Sequence, residues 1–263
     1  MLSSDIMILA QLRWPEIQSA LSRVCVAPLG SLEQHGPHLP LWTDTAIVSE
    51  IARRVERQLP DQVLLAPVQP IGHSPRHAHF GCVSLDLAAY MDLIGNLCRS
   101  IAAMGFRRIF LLNGHGGNDV PCRAAMCALK TEMPGLRIVF ASYWTLAAEA
   151  FQRIRTSAPG GMGHACEMET SIMLALYPDQ VSLARARDDG TAGETGYRLL
   201  DMLRPQPYYM VRDFDELSAT GTLGRPSHAS AEKGTRFLDA AVEAARGLVA
   251  AFAAGELEFG DRA

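Results

Sequence analysis

Four short apolar runs punctuate the chain: VCVAPLG at Val24–Gly30, a run at Val63–Pro67, RRIFLLN at Arg107–Asn113 and RIVFAS at Arg137–Ser142. Runs this short and this apolar read as strands buried on both faces. Segments of helical spacing lie between and after them. Thr45–Gln58 sets Ile47, Ile51 and Val55 about one turn apart, and Leu85–Met104 carries a stripe from Leu87 to Met104 with Gly105 as its cap. Val120–Met133 is stopped by Pro134 and Gly135, Glu167–Tyr177 by Pro178 and Asp179, and Ala229–Ala254 is an Ala-rich helix. Strands that alternate with amphipathic helices predict an α/β fold, a mostly parallel sheet flanked by helices on both faces. With no Ser/Gly linker or break in composition, residues 1–263 are expected to form a single domain. Gly190–Pro226 is less regular and reads as an excursion near the site.

In such a sheet, ligands collect where strands end. The stretch GSLEQHGPHLPLWTDT follows the first strand and brings Glu33, His35, His38 and Asp44 together among Gly36, Pro37 and Pro40. Glu33 and His35 are two apart, so in extended backbone they face the same way. Asp44 stands at a helix entry, as a bridge between two cations or as a simple cap. NGHGGN follows the Arg107 strand and offers His115, as a ligand or as a strand cap; it lacks the lysine and the spacing of a phosphate loop. GHACEMETS sets His164, Glu167 and Glu169 at a loop-to-helix junction beside an apolar run. Buried there without compensation, two carboxylates would be costly. Carboxylates and imidazoles without a thiolate cluster suit Zn²⁺ or Mn²⁺ with open positions. Two cations sharing an Asp would lower the pKa of a bound water and polarise a carbonyl. His73, His77 and His79, in GHSPRHAHFG, read equally well as substrate contacts or as surface and supporting residues. Trp144 reads as core or as pocket wall.

Other classes fit less well. The net charge is −4 with no basic run, which argues against a nucleic-acid partner. The six cysteines are scattered and form no C-x-x-C pair, so no disulfide framework is expected. The N-terminus lacks a signal-peptide pattern and no apolar run is long enough to span a bilayer. The expected location is cytoplasmic, with no membrane partner.

The segments GSLEQHGPHLPLWTDT, LLNGHGGN, GHACEMETSIMLALYPD and TGTLGRPSHASAEKG resemble the creatininase (creatinine amidohydrolase) family, from about residue 10 to residue 255. The resemblance implies a parallel-sheet core, two divalent cations per chain (Zn²⁺ or Mn²⁺, with Fe²⁺ also tolerated), hydrolysis of cyclic or linear amides, and a homo-oligomer, typically a hexamer. It assigns Glu33, Asp44 and His115 to one metal and His35, Asp44 and Glu169 to the other. His164 becomes the catalytic imidazole. Creatininase itself carries Tyr and Glu where Gly116 and Gly117 stand here, and Trp-Asp where Gly160 and Gly161 stand. Glu167 is therefore expected to supply the missing carboxylate, as proton carrier or extra ligand. The expected activity is metal-dependent hydrolysis of a small non-peptide C–N bond. The rivals are a peptidase of the mycofactocin-precursor type, which usually has His where this chain has Glu167, and a non-catalytic α/β module that binds a small ligand.

Overall fold

A computed structural model describes residues 8–190, 200–204 and 208–257. The principal sheet has four strands in the order β3-β1-β5-β6: Val63–Leu65, Val24–Leu29, Arg108–Asn113 and Arg137–Ser142. Every pairing in it is parallel, as the buried apolar runs predict. Two small antiparallel ladders sit beyond its carboxyl edge, β2 (Leu32–Glu33) with β4 (Cys82–Val83) and β7 (Met162–His164) with β8 (Leu223–Gly224). The helices are α1 (Thr43–Gln58), α2 (Leu87–Ala103), α3 (Asp119–Glu132), α4 (Tyr143–Leu146), α5 (Ala148–Ile154), α6 (Glu167–Leu176), α7 (Phe214–Leu217) and α8 (Ala231–Ala253). None among the described residues is long and apolar enough to cross a membrane.

Strand alternation divides the core in two. Val24, Val26, Phe110 and Leu112 face α1, α6 and α8, while Cys25, Ala27, Leu29, Ile109 and Leu111 face α2 and α3. Both faces of the sheet are thus covered, which is why its strands carry no polar alternation. The Gly190–Pro226 excursion contains α7 and β8; residues 191–199 and 205–207 of it lie outside the described residues.

Two glycines set how closely α1 approaches the sheet. A Cβ on Gly30, at the end of β1, would stand 2.3 Å from Thr45 Oγ1 and 2.7 Å from Thr45 Cα. One on Gly114, just after β5, would stand 2.8 Å from Val48 Cβ and 3.0 Å from the Asp44 carbonyl oxygen. The first turn of α1 therefore presses directly on the ends of two adjacent strands. Helix α1 also starts earlier than its spacing suggested, at Thr43, so Asp44 lies inside the first turn. It is not the cap; the capping position is Trp42, which makes no side-chain capping bond. Gly30→Ala is expected to force this contact apart at a cost of about 1–3 kcal/mol, the range for overpacking. Calorimetry should show a Tm lower by several degrees, since about 1 kcal/mol moves Tm by ~2–4 °C at this chain length.

Candidate metal centre

Several elements around the sheet's carboxyl edge contribute polar side chains to one buried cluster. β2 brings Glu33, the following loop His35, the first turn of α1 Asp44, the loop after β5 His115, the end of β7 His164, and the first turn of α6 Glu169. All six are buried, Glu33 and His35 completely. Between His164 and α6 the chain turns through Ala165 at φ 50°, a left-handed conformation unusual for a residue with a side chain. That turn lets neighbouring stretches of chain, a strand end and a helix start, face the same point.

Asp44 is the centre. Its Oδ1 lies 3.0 Å from His35 Nε2 and its Oδ2 lies 3.1 Å from His115 Nδ1. Ser31 Oγ donates to Oδ2 at 2.8 Å. Glu33 Oε1 lies 3.1 Å from His115 Nδ1, and Glu169 Oε1 lies 4.0 Å from His35 Nε2. Each of these imidazoles has its other nitrogen against a backbone carbonyl: His35 Nδ1 faces Glu33 O at 3.0 Å, and His115 Nε2 faces His73 O at 3.1 Å. With the proton donated to the carbonyl, the nitrogen facing the carboxylates is bare, the arrangement of a metal-ligating histidine. Lone pairs of nitrogen and oxygen then point at one another and need a cation between them.

The electrostatics state the same demand. Burial works against a charged His35, but Asp44, Glu169 and Glu33 outweigh it and lift its pKa to about 9. His115 is raised well above its ordinary value against the same burial, chiefly by Glu33 and Asp44. Burial raises Glu169 to about 7, with Asp44 and Glu33 pushing the same way and His35 opposing. Neither oxygen of Glu33 has a partner in hydrogen-bond geometry, close as the imidazoles are. Three acids buried together, one of them with both oxygens unpartnered, fit positive charge in the form of metal ions. Three donor groups with mutually close ligand atoms occur here: Glu33–His35–Asp44, His35–His164–Glu169 and Glu33–His77–His164.

His164 and His77 are held differently. Burial and the neighbouring His35 push His164 well below its ordinary pKa, so it is neutral. Its Nε2 lies 2.7 Å from the Gln34 backbone oxygen, to which an Nε2–H donates, leaving Nδ1 bare and 3.8 Å from Glu33 Oε1. Burial and the neighbouring imidazoles of His164, His115 and His35 also lower His77. Gln34 Nε2 donates to Gly221 O and to His77 Nδ1, both at 3.0 Å, so the His77 proton sits on Nε2, 3.2 Å from Glu33 Oε1. The rings of His77 and His164 both pack on Phe214 of α7, with centroids 3.8 Å and 4.7 Å away.

The structure separates the remaining candidates from this cluster. Glu167 is buried, yet its carboxylate turns away from the metal donors and accepts from the backbone N–H groups of Thr156 and Ser157 and from Lys233 Nζ at 2.6 Å. The role of proton carrier expected of it does not go with that position. His38 bonds Thr170 Oγ1 at 2.9 Å, and burial lowers its pKa to about 4. His73 serves through its carbonyl, and His79 is exposed, 3.7 Å from Asp215. Trp144 does both things considered for it, packing on the core and lining the cavity. Gln34 and Phe214 went unnoticed in the sequence: a neutral amide and an aromatic ring in an irregular stretch carry no signature of chemistry. The cluster forms the floor of a cavity of about 660 Å³ whose walls include Arg76, Trp144, Met202, Val211 and Phe214.

The sequence profile of creatinine amidohydrolases matches residues 10–249. The chain belongs to the creatininase family. It is 36% identical over 228 residues to the mycofactocin precursor peptide peptidase of Mycobacterium tuberculosis, covering 83% of this chain and 81% of the relative. It is 28% identical over 258 residues to the creatinine amidohydrolase of Pseudomonas putida, covering 91% and 95%. Among solved structures, a manganese creatininase superposes with a TM-score of 0.74 at 28% identity, over 92% of this chain and 97% of that one. A mutant creatininase of zinc–zinc type superposes with a TM-score of 0.77 at 27% identity, over 92% and 96%. The fold of this family member is therefore that of creatininases, and its buried donors suit the Zn²⁺ and Mn²⁺ that those structures carry.

Glu167→Gln is expected to break a buried ion pair at a cost of about 3–5 kcal/mol while leaving metal content unchanged. Burial pushes Glu167 up, but Lys233, Ser157 and Thr156 together hold it below 4.5. A depressed carboxylate stabilises the fold above its unfolded pKa and ceases to as pH falls through the folded one. The Tm gap between wild type and variant should therefore narrow on acidification below about pH 4.5. Loss of metal in the variant would instead place Glu167 among the donors.

Proposed function

We propose that this creatininase-family protein is a dinuclear metal-dependent amidohydrolase of a small non-peptide C–N bond. Glu33, Asp44 and His115 would hold one divalent cation, and His35, Asp44 and Glu169 the other. The observation that carries this reading is Asp44, whose two oxygens each face a different imidazole at 3.0 and 3.1 Å. Bound there, such a pair supplies a water of lowered pKa and polarises the carbonyl under attack.

The chain's own groups supply the rest. His164, neutral and bare at Nδ1, accepts the proton of the attacking water at that atom. The new C–O bond forms, the C–N bond breaks, and the same proton returns to the leaving nitrogen. The backbone oxygen of Gln34 keeps the ring in the tautomer this requires, and the Gln34 amide presents His77 Nε2–H as a neutral donor at the cavity wall. Phe214 packs on both rings and shields them from water. The cavity, at about 660 Å³, is within the range that encloses a whole small molecule.

A second reading, a peptidase of the mycofactocin-precursor type, is favoured by the 36% identity to such a peptidase. Glu167 does not oppose it, because that side chain faces Lys233 and not the cavity. A panel of lactams, cyclic ureas, formamides and short peptides, offered to the metal-loaded protein, separates the two. Turnover of the first three alone supports the non-peptide reading, and turnover of peptides alone overturns it.

Metal analysis after purification without chelator should give two equivalents per chain. Asp44→Ala is expected to lose both, and His35→Ala one. Full metal content in the Asp44 variant would refute the shared-carboxylate centre.

A further inference from the structure

The cavity floor is crowded with acids, but its wall carries one strong cation. Among the described residues that line it, Arg76 is the only Arg or Lys. Its guanidinium lies over the Phe214 ring, 5.6 Å from the centroid, and its Nε donates to the Arg212 carbonyl. The side chain is thereby fixed, while no described carboxylate lies within the 4.0 Å of an ion pair. Acids nearby are engaged elsewhere: Asp215 lies against His79, Asp119 pairs with Arg123 at 3.0 Å, and Glu216 accepts from the Asp213 N–H. Arg155 and Arg54, also partly buried, are by contrast paired, with Asp201 at 2.7 Å and with Glu50 at 2.8 Å. A rigidly placed, unneutralised guanidinium at a cavity wall is a carboxylate receptor, because its planar fork offers two parallel N–H donors.

We propose that Arg76 recognises a carboxylate on the substrate, so that the amide cleaved here belongs to the class of carboxylated small amides; this rests on the amidohydrolase reading above. That class includes N-acyl and N-carbamoyl amino acids and half-amides of dicarboxylic acids. Arg76 and His164 pack on the same Phe214 ring, so anchor and proton acceptor share one wall. A carboxylate held by Arg76 lies on the same wall as the proton acceptor. The anchor has a second effect. A free carboxylate is itself a good ligand for divalent cations, and would compete with the amide for the floor. Arg76 draws it to the cavity wall and leaves the floor to the amide.

The test pairs carboxylated amides with neutral counterparts of the same skeleton: N-acetyl and N-carbamoyl amino acids against their carboxamides, and succinamate against succinamide. Metal-loaded wild type, Arg76→Met and Arg76→Lys are compared for turnover, and for binding of each compound by calorimetry. The acids are expected to exceed their counterparts in kcat/KM by roughly 10-fold or more, as a charge-assisted pair implies. Arg76→Met should raise KM for the acids by roughly 10- to 100-fold with kcat little changed. It should change the neutral compounds by less than about 2-fold, since it removes no contact to them, and Arg76→Lys should restore part of the loss. Equal handling of acid and neutral partner, or an equal loss on both in Arg76→Met with an unchanged Tm, overturns the proposal. Absence of any turnover, with acids still bound in an Arg76-dependent way, sinks the hydrolase reading and supports the carboxylate site. Arg76-independent binding sinks the site.

Discussion

One carboxylate facing two imidazoles organises the active end of this molecule. Asp44 is buried beside two further acids, and no arrangement of neutral neighbours would let all three keep their charge away from water. Each of the two imidazoles has one nitrogen against a backbone carbonyl and the other against the acids, an arrangement that calls for positive charge at the centre of the cluster. Stability and function are thus tied. On the proposed reading, the cations that let the acids coexist are also those that activate the water.

The fold serves this constraint through close approach. Gly30 and Gly114 admit the first turn of α1 against two strand ends, and Ala165 turns β7 into α6 within a residue or two. Two of the acids, Asp44 and Glu169, thereby occupy the first turns of helices, where the backbone N–H groups and the helix dipole favour negative charge. The parallel sheet, covered on both faces, is the platform that keeps these ends in register.

Much of this was legible in the residues. The apolar runs became the four parallel strands with boundaries shifted by little, and the helical stripes became α1, α2, α3, α6 and α8. The spacing of Glu33, His35 and Asp44 announced a common focus, and His115, His164 and Glu169 joined it from distant parts of the chain. Glu167 shows where such reading fails. Residues two apart share a face in a strand but lie on nearly opposite sides of a helix. Glu167 and Glu169 stand in one helical turn, so only one reaches the cluster, and the partner that claims the other, Lys233, lies 66 residues on. Gln34 and Phe214 stayed hidden for a related reason. Their work is to fix a tautomer or cover a ring, and only the three-dimensional neighbourhood gives an amide or a phenyl group that task.

The bond from Lys233 to Glu167 fastens the N-terminal end of α8 to the start of α6, and these two helices share an extensive packing face. Every donor of the cluster precedes α8 in the chain. During synthesis all six side chains leave the ribosome while the helix that braces Glu169's segment is still being made. A chain that ended before Lys233 would carry the same six donors without the helix that packs against Glu169's segment.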